Sequence, residues 1–270
     1  MNGPNEKISA LIITYNEIGY IEKCIESMVF ADEIVVVDSY STDGTFEYLE
    51  NHPKVKVIQR PFENFTDQKS FALRQASNDW VLFLDADEVL TPKLQNEIQH
   101  TINSGTQKNA FWFYRTFMFK DEKVFFSGCQ TDKNYRLFRK SKVAFAKDKI
   151  VHETLNVIGE SGTLKTKLIH YSYKDYSDFK GKILKYGRMK AIESLRKGRR
   201  FSYAKLVIKP IWKFFNYYII RLGLLDGFKG LVLSYIHARG VVEHYKALKA
   251  LETETRTSTA PIKTILERAA

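Results

Sequence analysis

The chain has 270 residues and a mass of 31.4 kDa, enough for one large domain or one domain with a smaller appendage. Its composition, 44% apolar and 27% charged with few prolines and no biased tracts, excludes wholesale disorder and fibrous repeats. The net charge of +11 is unevenly spread: residues 171–250 hold 18 Lys and Arg against 5 Asp and Glu, residues 1–170 hold 21 against 23, and a near-neutral body thus carries a basic segment suited to a polyanionic partner.

Residues 1–7 are polar and the apolar stretch 8–14 is only strand-length, which is not the pattern of a secretory signal. No window approaches the ~20 apolar residues of a spanning helix, and the nearest, 214–220, stops at Arg221. Cys24 and Cys129 are too few and too far apart for a disulfide framework or a cysteine zinc site, which fits a reducing compartment. Residues 8–14, rich in β-branched side chains, read as a buried strand, after which Ile18, Ile21, Ile25 and Met28 recur at helical spacing. A strand at 33–37 ends at Asp38, and the turn Ser41-Thr42-Asp43-Gly44-Thr45 caps a helix through Leu49. A strand at 55–59, a helix at 65–76 and a strand at 80–84 follow, and Thr91-Pro92 opens a further helix with a cap and a first-turn proline.

Buried strands joined by single helices predict an α/β fold with a parallel sheet and right-handed crossovers. Ligands of such sheets sit at the carboxyl ends of the strands. Those ends carry Thr14-Tyr15-Asn16-Glu17, Asp38-Ser39 and Asp85-Ala86-Asp87, acidic clusters that repel one another unless something cationic binds between them. From about Ala110 the chain turns aromatic and β-rich, with candidate strands at 111–119, 135–139 and 164–170 in a mixed or antiparallel arrangement that completes the same domain.

Asp85-Ala86-Asp87 follows an apolar strand, and alternate side chains share a face, so both carboxylates can aim at one point. Such hard oxygen ligands suit Mg²⁺ or Mn²⁺, which keep waters and bridge substrate phosphates; the plainer reading is an acidic loop capping the next helix. Neither G-x-G-x-x-G nor G-x-x-x-x-G-K occurs. A nucleotide can still bind at the first two strand ends, with Asp38 accepting from a base N–H and Glu17 from a ribose hydroxyl.

These residues carry a resemblance. I-I-T-Y-N-E (12–17), V-V-V-D-S-Y-S-T-D-G-T (35–45), Lys69-Ser70 and F-L-D-A-D-E (83–88) are similar, in order and spacing, to the donor half of family 2 inverting glycosyltransferases of the GT-A (Rossmann-like) fold. The resemblance implies that Thr14, Tyr15 and Glu17 contact the nucleoside of a nucleotide sugar. It also implies Asp38 at the base, Ser39 among the nucleotide-sugar contacts, Asp85 near the base or ribose, and Asp87 holding a divalent metal on the diphosphate. Many members have Arg-Asn where this chain has Lys69-Ser70; a lysine keeps the charge but loses bidentate geometry. Tyr135-Arg136-Leu137-Phe138-Arg139, Val151-His152-Glu153 and His170-Tyr171-Ser172-Tyr173 before a basic tail resemble the lipopolysaccharide core glucosyltransferase branch.

Inverting transfer needs a base for the acceptor hydroxyl, and a metal stabilises the leaving diphosphate. By analogy with the family the base is Glu153, with Asp132 in reserve. His152 is either catalytic or a polar strand-end residue, and His170 either a third metal ligand beside Asp85 and Asp87 or a core histidine. Arg136 and Arg139 either approach the diphosphate or an anionic acceptor, or line a solvated strand face.

Between residues 203 and 221, Lys205, Lys209 and Lys213 project to one helical side and Val207, Ile211, Phe214, Phe215 and Tyr218 to the other, with Pro210 expected to kink or restart the helix. That pattern suits an anionic membrane surface; the alternative is an apolar face packed on the catalytic domain. No nucleic-acid-binding motif accompanies the charge, so no nucleic-acid partner is expected.

The expected organisation is a catalytic domain at 1–175, with donor half 1–105 and acceptor half 106–175, a basic membrane-associating helical segment at 176–252, and a flexible tail at 253–270. The expected activity is metal-dependent, inverting transfer of a hexose, glucose foremost, from a UDP-sugar to a lipid-linked saccharide such as lipopolysaccharide core. The expected place is the inner face of the cytoplasmic membrane. The rivals are a nucleotidyltransferase, which lacks its Gly-rich triphosphate loop here, and a membrane adaptor with a decayed donor site, against which Asp38, Asp85 and Asp87 stand intact.

Overall fold

The computed structural model describes residues 6–119, 122–146, 155–173 and 175–257. The chain divides into two compact units, residues 1–116 with 131–171, and residues 117–130 with 172–270.

In the first unit, β1 (Ile8–Thr14), α1 (Ile21–Glu26), β2 (Glu33–Asp38), α2 (Thr45–Glu50), β3 (Val55–Gln59), α3 (Phe65–Gln75), β4 (Trp80–Asp85), the two-residue β5 (Glu88–Val89) and α4 (Pro92–Asn103) follow one another. α1 is shorter than its apolar pattern, because Asn16 and Gly19 adopt left-handed backbone at the preceding turn. α3 and α4 are capped by side chains: Asn64 accepts from the Asp67 N–H and Thr91 from the Leu94 N–H. The remaining strands are β6 (Ala110–Phe119), β7 (Glu122–Val124), β8 (Lys133–Arg139), β9 (Val143–Phe145), β10 (Leu155–Val157), β11 (Ser161–Thr163) and β12 (Leu168–Tyr173).

The sheet order is β3-β2-β1-β4-β8-β6-β12-β5, with β11 beside β6. β3, β2, β1 and β4 are parallel, whereas β8 is antiparallel to β4 and β6 to β8. This mixed sheet flanked by helices is the GT-A architecture expected from the sequence. The period of two along each strand divides the core. Ala10, Ile12, Val36, Leu82 and Leu84 pack with Ile21, Ile25, Leu94 and Ile98 of α1 and α4, while Leu11, Val35, Val37, Val81 and Phe83 pack with Ala72 and Leu73 of α3. Thr14 lies in register with Asp38, and Ile13 with Asp85, so the polar strand ends fall at one edge of the sheet.

Among the described residues the second unit contains β7, paired with the last residues of β6, and the α-helices α5 (Tyr176–Arg196), α6 (Tyr203–Phe215) and α7 (Gly227–Thr257). α5 meets α7 where Gly187 faces Gly240: a Cβ on Gly187 would stand 2.5 Å from the Gly240 carbonyl oxygen. α6 runs unbroken through Pro210, which is buried, and continues as a π-helical turn over Asn216–Ile220. The expected restart at the proline does not occur.

Val207, Ile208, Ile211, Trp212 and Phe215 of α6 are exposed, so this side of the helix is not a packed face. One expectation for this unit changes. Residues 253–257, whose composition suggests a spacer, are the last turn of α7, where Thr253, Thr255 and Thr257 return their hydroxyls to carbonyls four residues back.

His237 lies between the Tyr217 ring at 4.1 Å and Phe179 at 5.3 Å. Burial, followed by the charges of Lys213 and Arg221, pushes its pKa down to about 3. A histidine whose folded pKa lies below its unfolded value of 6.5 destabilises the fold progressively as pH falls from 6.5 toward 3, by up to about 1.4 kcal/mol per pH unit. His237→Gln should flatten this acid-side slope in urea titrations at stepped pH; an unchanged slope would show that other groups set it.

Candidate active site

At the end of β1, Thr14 is buried with its hydroxyl unpartnered, and Tyr15 beyond it is 57% exposed. Asn16 takes a left-handed conformation (φ 56°), donating its N–H to the Ser41 hydroxyl and accepting the Thr42 N–H on its side chain. The Glu17 N–H binds the Thr45 hydroxyl. The loops after β1 and β2 are therefore one hydrogen-bonded structure. Asp38 is fully buried and organises it: its carboxylate accepts from the Ser41 N–H at 3.0 Å, from the Ser41 hydroxyl, and from the Gln59 amide at 3.3 Å. The Ser39 hydroxyl accepts from Gln68, itself buried and bonded to Arg60. Asp38 thus holds the loop that displays Tyr15 and the half-exposed Tyr40.

At the end of β4 stands a charged cluster in which Arg136 and Glu88 are buried while Asp85 keeps a third of its side chain exposed. Asp85 sits 3.2 Å from the Lys69 ammonium through one oxygen and binds Arg136 through the other. The same Arg136 nitrogen lies 2.6 Å from Glu88, which is fully buried. Glu88 also accepts the Asp85 N–H and reaches Arg115 at 3.3 Å, and Arg115 binds Asp132. Burial would raise the Asp85 carboxyl, but the Arg136 charge, followed by those of Lys69, Arg115 and His170, holds it well below the ordinary carboxylate range. Cys24, whose thiol is pushed up by burial and then by Glu88, Asp87 and Asp85, closes the cluster from below with its sulfur 3.6 Å from the Asp85 carbonyl.

Asp87 lies on the other side of this loop. Its carboxylate is 3.3 Å from His170 Nε2, and its carbonyl accepts the Tyr171 N–H, because β5 pairs antiparallel with β12 and sets His170 opposite Glu88. The two carboxylates of the Asp-x-Asp therefore serve different partners, Asp85 the cations and Asp87 the histidine. Among the described residues no three His, Cys, Asp or Glu side chains come together as a metal cage.

Of the expected site residues, Lys69, Asp85, Arg136, Asp87, His170 and Asp132 fall into this connected region, and Thr14, Tyr15, Glu17, Asp38 and Ser39 into the neighbouring loop pair. Arg136 is buried and not on a solvated face. Arg139 stands at the start of β4, its guanidinium 4.3 Å from the Trp80 ring and 3.5 Å from Asp79, and belongs to the opposite end of the strand. His152 and Glu153 lie outside the described residues. Glu88 and Arg115 were not expected. Glu88 ends the F-L-D-A-D-E run, and Arg115 is a charge inside an aromatic strand, an incongruity that marks a buried partner.

Polar loops at the carboxyl ends of a mixed α/β sheet, with a carboxylate–histidine pair beside a buried charge cluster, define a ligand-binding domain of the GT-A type. Residues 9–154 match the sequence model of "Glycosyl transferase family 2", and the chain belongs to that family; it is a glycosyltransferase. It is 32% identical to an uncharacterised glycosyltransferase of Rickettsia typhi over 93% of this chain and 89% of that one. It is 30% identical to the lipopolysaccharide core biosynthesis glycosyltransferase LpsC of Rhizobium meliloti, covering 92% of this chain and 96% of the relative. Among solved structures, residues 1–349 of Staphylococcus aureus TarS in complex with UDP align at a TM-score of 0.48 and 18% identity, over 92% of this chain and 91% of that fragment.

Arg136→Met should leave Glu88 buried against Arg115 alone and cost about 3–5 kcal/mol of stability in urea unfolding. A loss near the ~0.5 kcal/mol of an ordinary surface change would mean that water already serves the cluster.

Proposed function

We propose that the chain transfers a hexose, glucose foremost, from a UDP-sugar to a lipid-linked saccharide such as lipopolysaccharide core, with inversion at the anomeric carbon. The observation that carries this reading is the split at the end of β4, where Asp85 is bound by cations and Asp87 faces His170. The relative named for lipopolysaccharide core biosynthesis supports the acceptor class. A nucleotide sugar is drawn from the cytoplasm, and a lipid-linked acceptor lies in a bilayer, so the reading sets the enzyme on the inner face of the cytoplasmic membrane, with the basic helical unit toward anionic lipid.

A carboxylate oxygen and an imidazole nitrogen 3.3 Å apart fit a Mg²⁺ or Mn²⁺ ion, which takes few protein ligands and fills its other positions with water and phosphate oxygens. Asp87 and His170 would hold it, and Asp85, committed to Lys69 and Arg136, would not. The ion, when bound, neutralises charge on the departing diphosphate. The protein's own side chains do the rest. Tyr15 and Tyr40 offer aromatic surface to the nucleoside, and Glu17 offers a polar contact beside it. Lys69 and Arg136 hold Asp85 ionised, so that it accepts a hydrogen bond and donates none. Glu153 is the candidate base for the acceptor hydroxyl, with His152 beside it. Asp132, tied to Arg115, is the reserve candidate.

The first test offers the purified chain a panel of nucleotide sugars with Mn²⁺ and measures released nucleoside diphosphate. One donor should be turned over slowly, and Asp87→Ala should abolish both the metal-dependent release and Mn²⁺ binding followed by electron paramagnetic resonance. Full turnover in that variant would remove the metal assignment. With an acceptor supplied, Glu153→Gln should lower kcat ~10²–10⁴-fold at constant donor KM; a change in KM alone would move the base elsewhere.

A further inference from the structure

Exposed apolar side chains of the second unit are gathered at one turn. From the turn after α6 into the first turn of α7, Ile219, Ile220, Leu222, Leu224, Leu225 and Phe228 are all exposed, Leu225 at 58% and Phe228 at 73%. Phe125, 61% exposed, joins them from the segment after β7. Six large exposed side chains within ten residues are a concentration of apolar surface unlike the single hydrophobic residues of an ordinary surface.

The turn that carries them is fixed. Both carboxylate oxygens of Asp226 are engaged, by the Phe125 N–H at 3.0 Å and the Phe126 N–H at 3.0 Å. The Ser127 N–H binds the Arg221 carbonyl at 3.0 Å. Leu222 adopts a left-handed conformation (φ 57°), which is strained for a residue with a Cβ. Gly230 passes so close to Gly223 that a Cβ would come within 1.7 Å of the Gly223 carbonyl oxygen. Strain and close packing therefore hold these side chains outward, where they gain no burial within the unit.

The surroundings identify what they meet. Lys205 and Lys209 are exposed on α6, while Lys213 and Arg221 lie 4.2 Å and 4.8 Å from the Tyr217 ring. Trp212 and Tyr235, both about half exposed, add side chains suited to a headgroup boundary. Residues 171–250 carry 18 basic against 5 acidic residues, so a second copy presenting this face would be repelled, whereas anionic lipid would be attracted. Among the described residues no helix is long and apolar enough to cross a membrane, so these side chains would dip into one leaflet.

We propose that residues 219–228, with Phe125, form a rigid apolar knob that inserts into the acyl boundary of an anionic bilayer while the flanking lysines rest on the headgroups. This rests on the membrane part of the reading above and adds the element that enters the lipid. The test is flotation of the full chain with vesicles of mixed phosphatidylglycerol and phosphatidylcholine. It compares the wild type, the knob variant Leu225→Asp with Phe228→Asp, and the charge variant Lys205→Gln with Lys209→Gln. Unfolding midpoints and donor hydrolysis serve as controls for an intact fold, and Leu225→Ser with Phe228→Ser replaces the Asp pair should its midpoint drop.

The wild type should float, and the knob variant should bind on the order of tenfold to a hundredfold more weakly, the partition lost with a buried Leu and Phe. High salt should release the wild type only in part, since apolar contact is not screened. A wild type that stays at the bottom of the gradient overturns both the knob and the membrane reading. Equal flotation of wild type and knob variant, with only the charge variant weakened, overturns the knob and leaves surface attachment by charge. Self-association of the wild type that disappears in the knob variant, without vesicle binding, assigns the patch to a second copy and overturns the proposal.

Discussion

A guanidinium withdrawn from water must be met by anions, and Arg136 sets this condition for everything around it. Its partners, Asp85 and Glu88, stand at the two ends of a four-residue turn, so satisfying the charge also closes the turn. The Asp85 N–H on Glu88 and the Cys24 sulfur on the Asp85 carbonyl close it from inside. Once Glu88 is fixed, β5 can pair with β12, and that pairing brings His170 to Asp87. The position of the carboxylate–histidine pair is thus a consequence of burying one cation. A charge pair of this kind is weak as a source of stability, yet any alternative geometry leaves a naked charge inside the sheet.

The parallel half of the sheet was legible from the sequence because its information is local. β1 and β3 have the bounds their β-branched runs announce, and Thr91-Pro92 caps α4 as the sequence reads. The acidic strand ends were legible for the same reason. What escaped was long-range. Glu88 and Arg115 come together because β12 lies between β5 and β6 in the sheet, and no spacing within one segment reports which strands become neighbours. The Asp-x-Asp pattern located both carboxylates but not their division, since partners 16, 51 and 83 residues away decide where each one points. Pro210 and the threonines at the end of α7 misled in the other direction: local propensity argued for breaks where packing and hydroxyl back-bonding carry the helix on.

In the basic segment, charge was legible but its companion was not. Lysines spaced four apart on α6 suggest a helix with a wet side and a dry side. The structure instead leaves apolar residues of α6 and of the following turn in solvent, and holds the turn with Asp226 and two glycines. This segment thus combines a net positive charge with exposed apolar side chains, and only the charge could be read from the sequence.

The second unit is assembled from two stretches of chain, residues 117–130 and 172–270. Its core joins Phe119 and Val124 of the first stretch to Phe179, Leu233 and Ile236 of the second. During synthesis the first stretch leaves the ribosome long before α7 exists, so two greasy residues wait without partners while β8 to β12 are made. Contacts of such large sequence separation are slow to form and leave the nascent chain open to aggregation in the interval. A chain halted before α7 would therefore be a client for chaperones rather than a smaller working enzyme, and yield of the intact protein should depend more on translation speed and temperature than its final stability suggests.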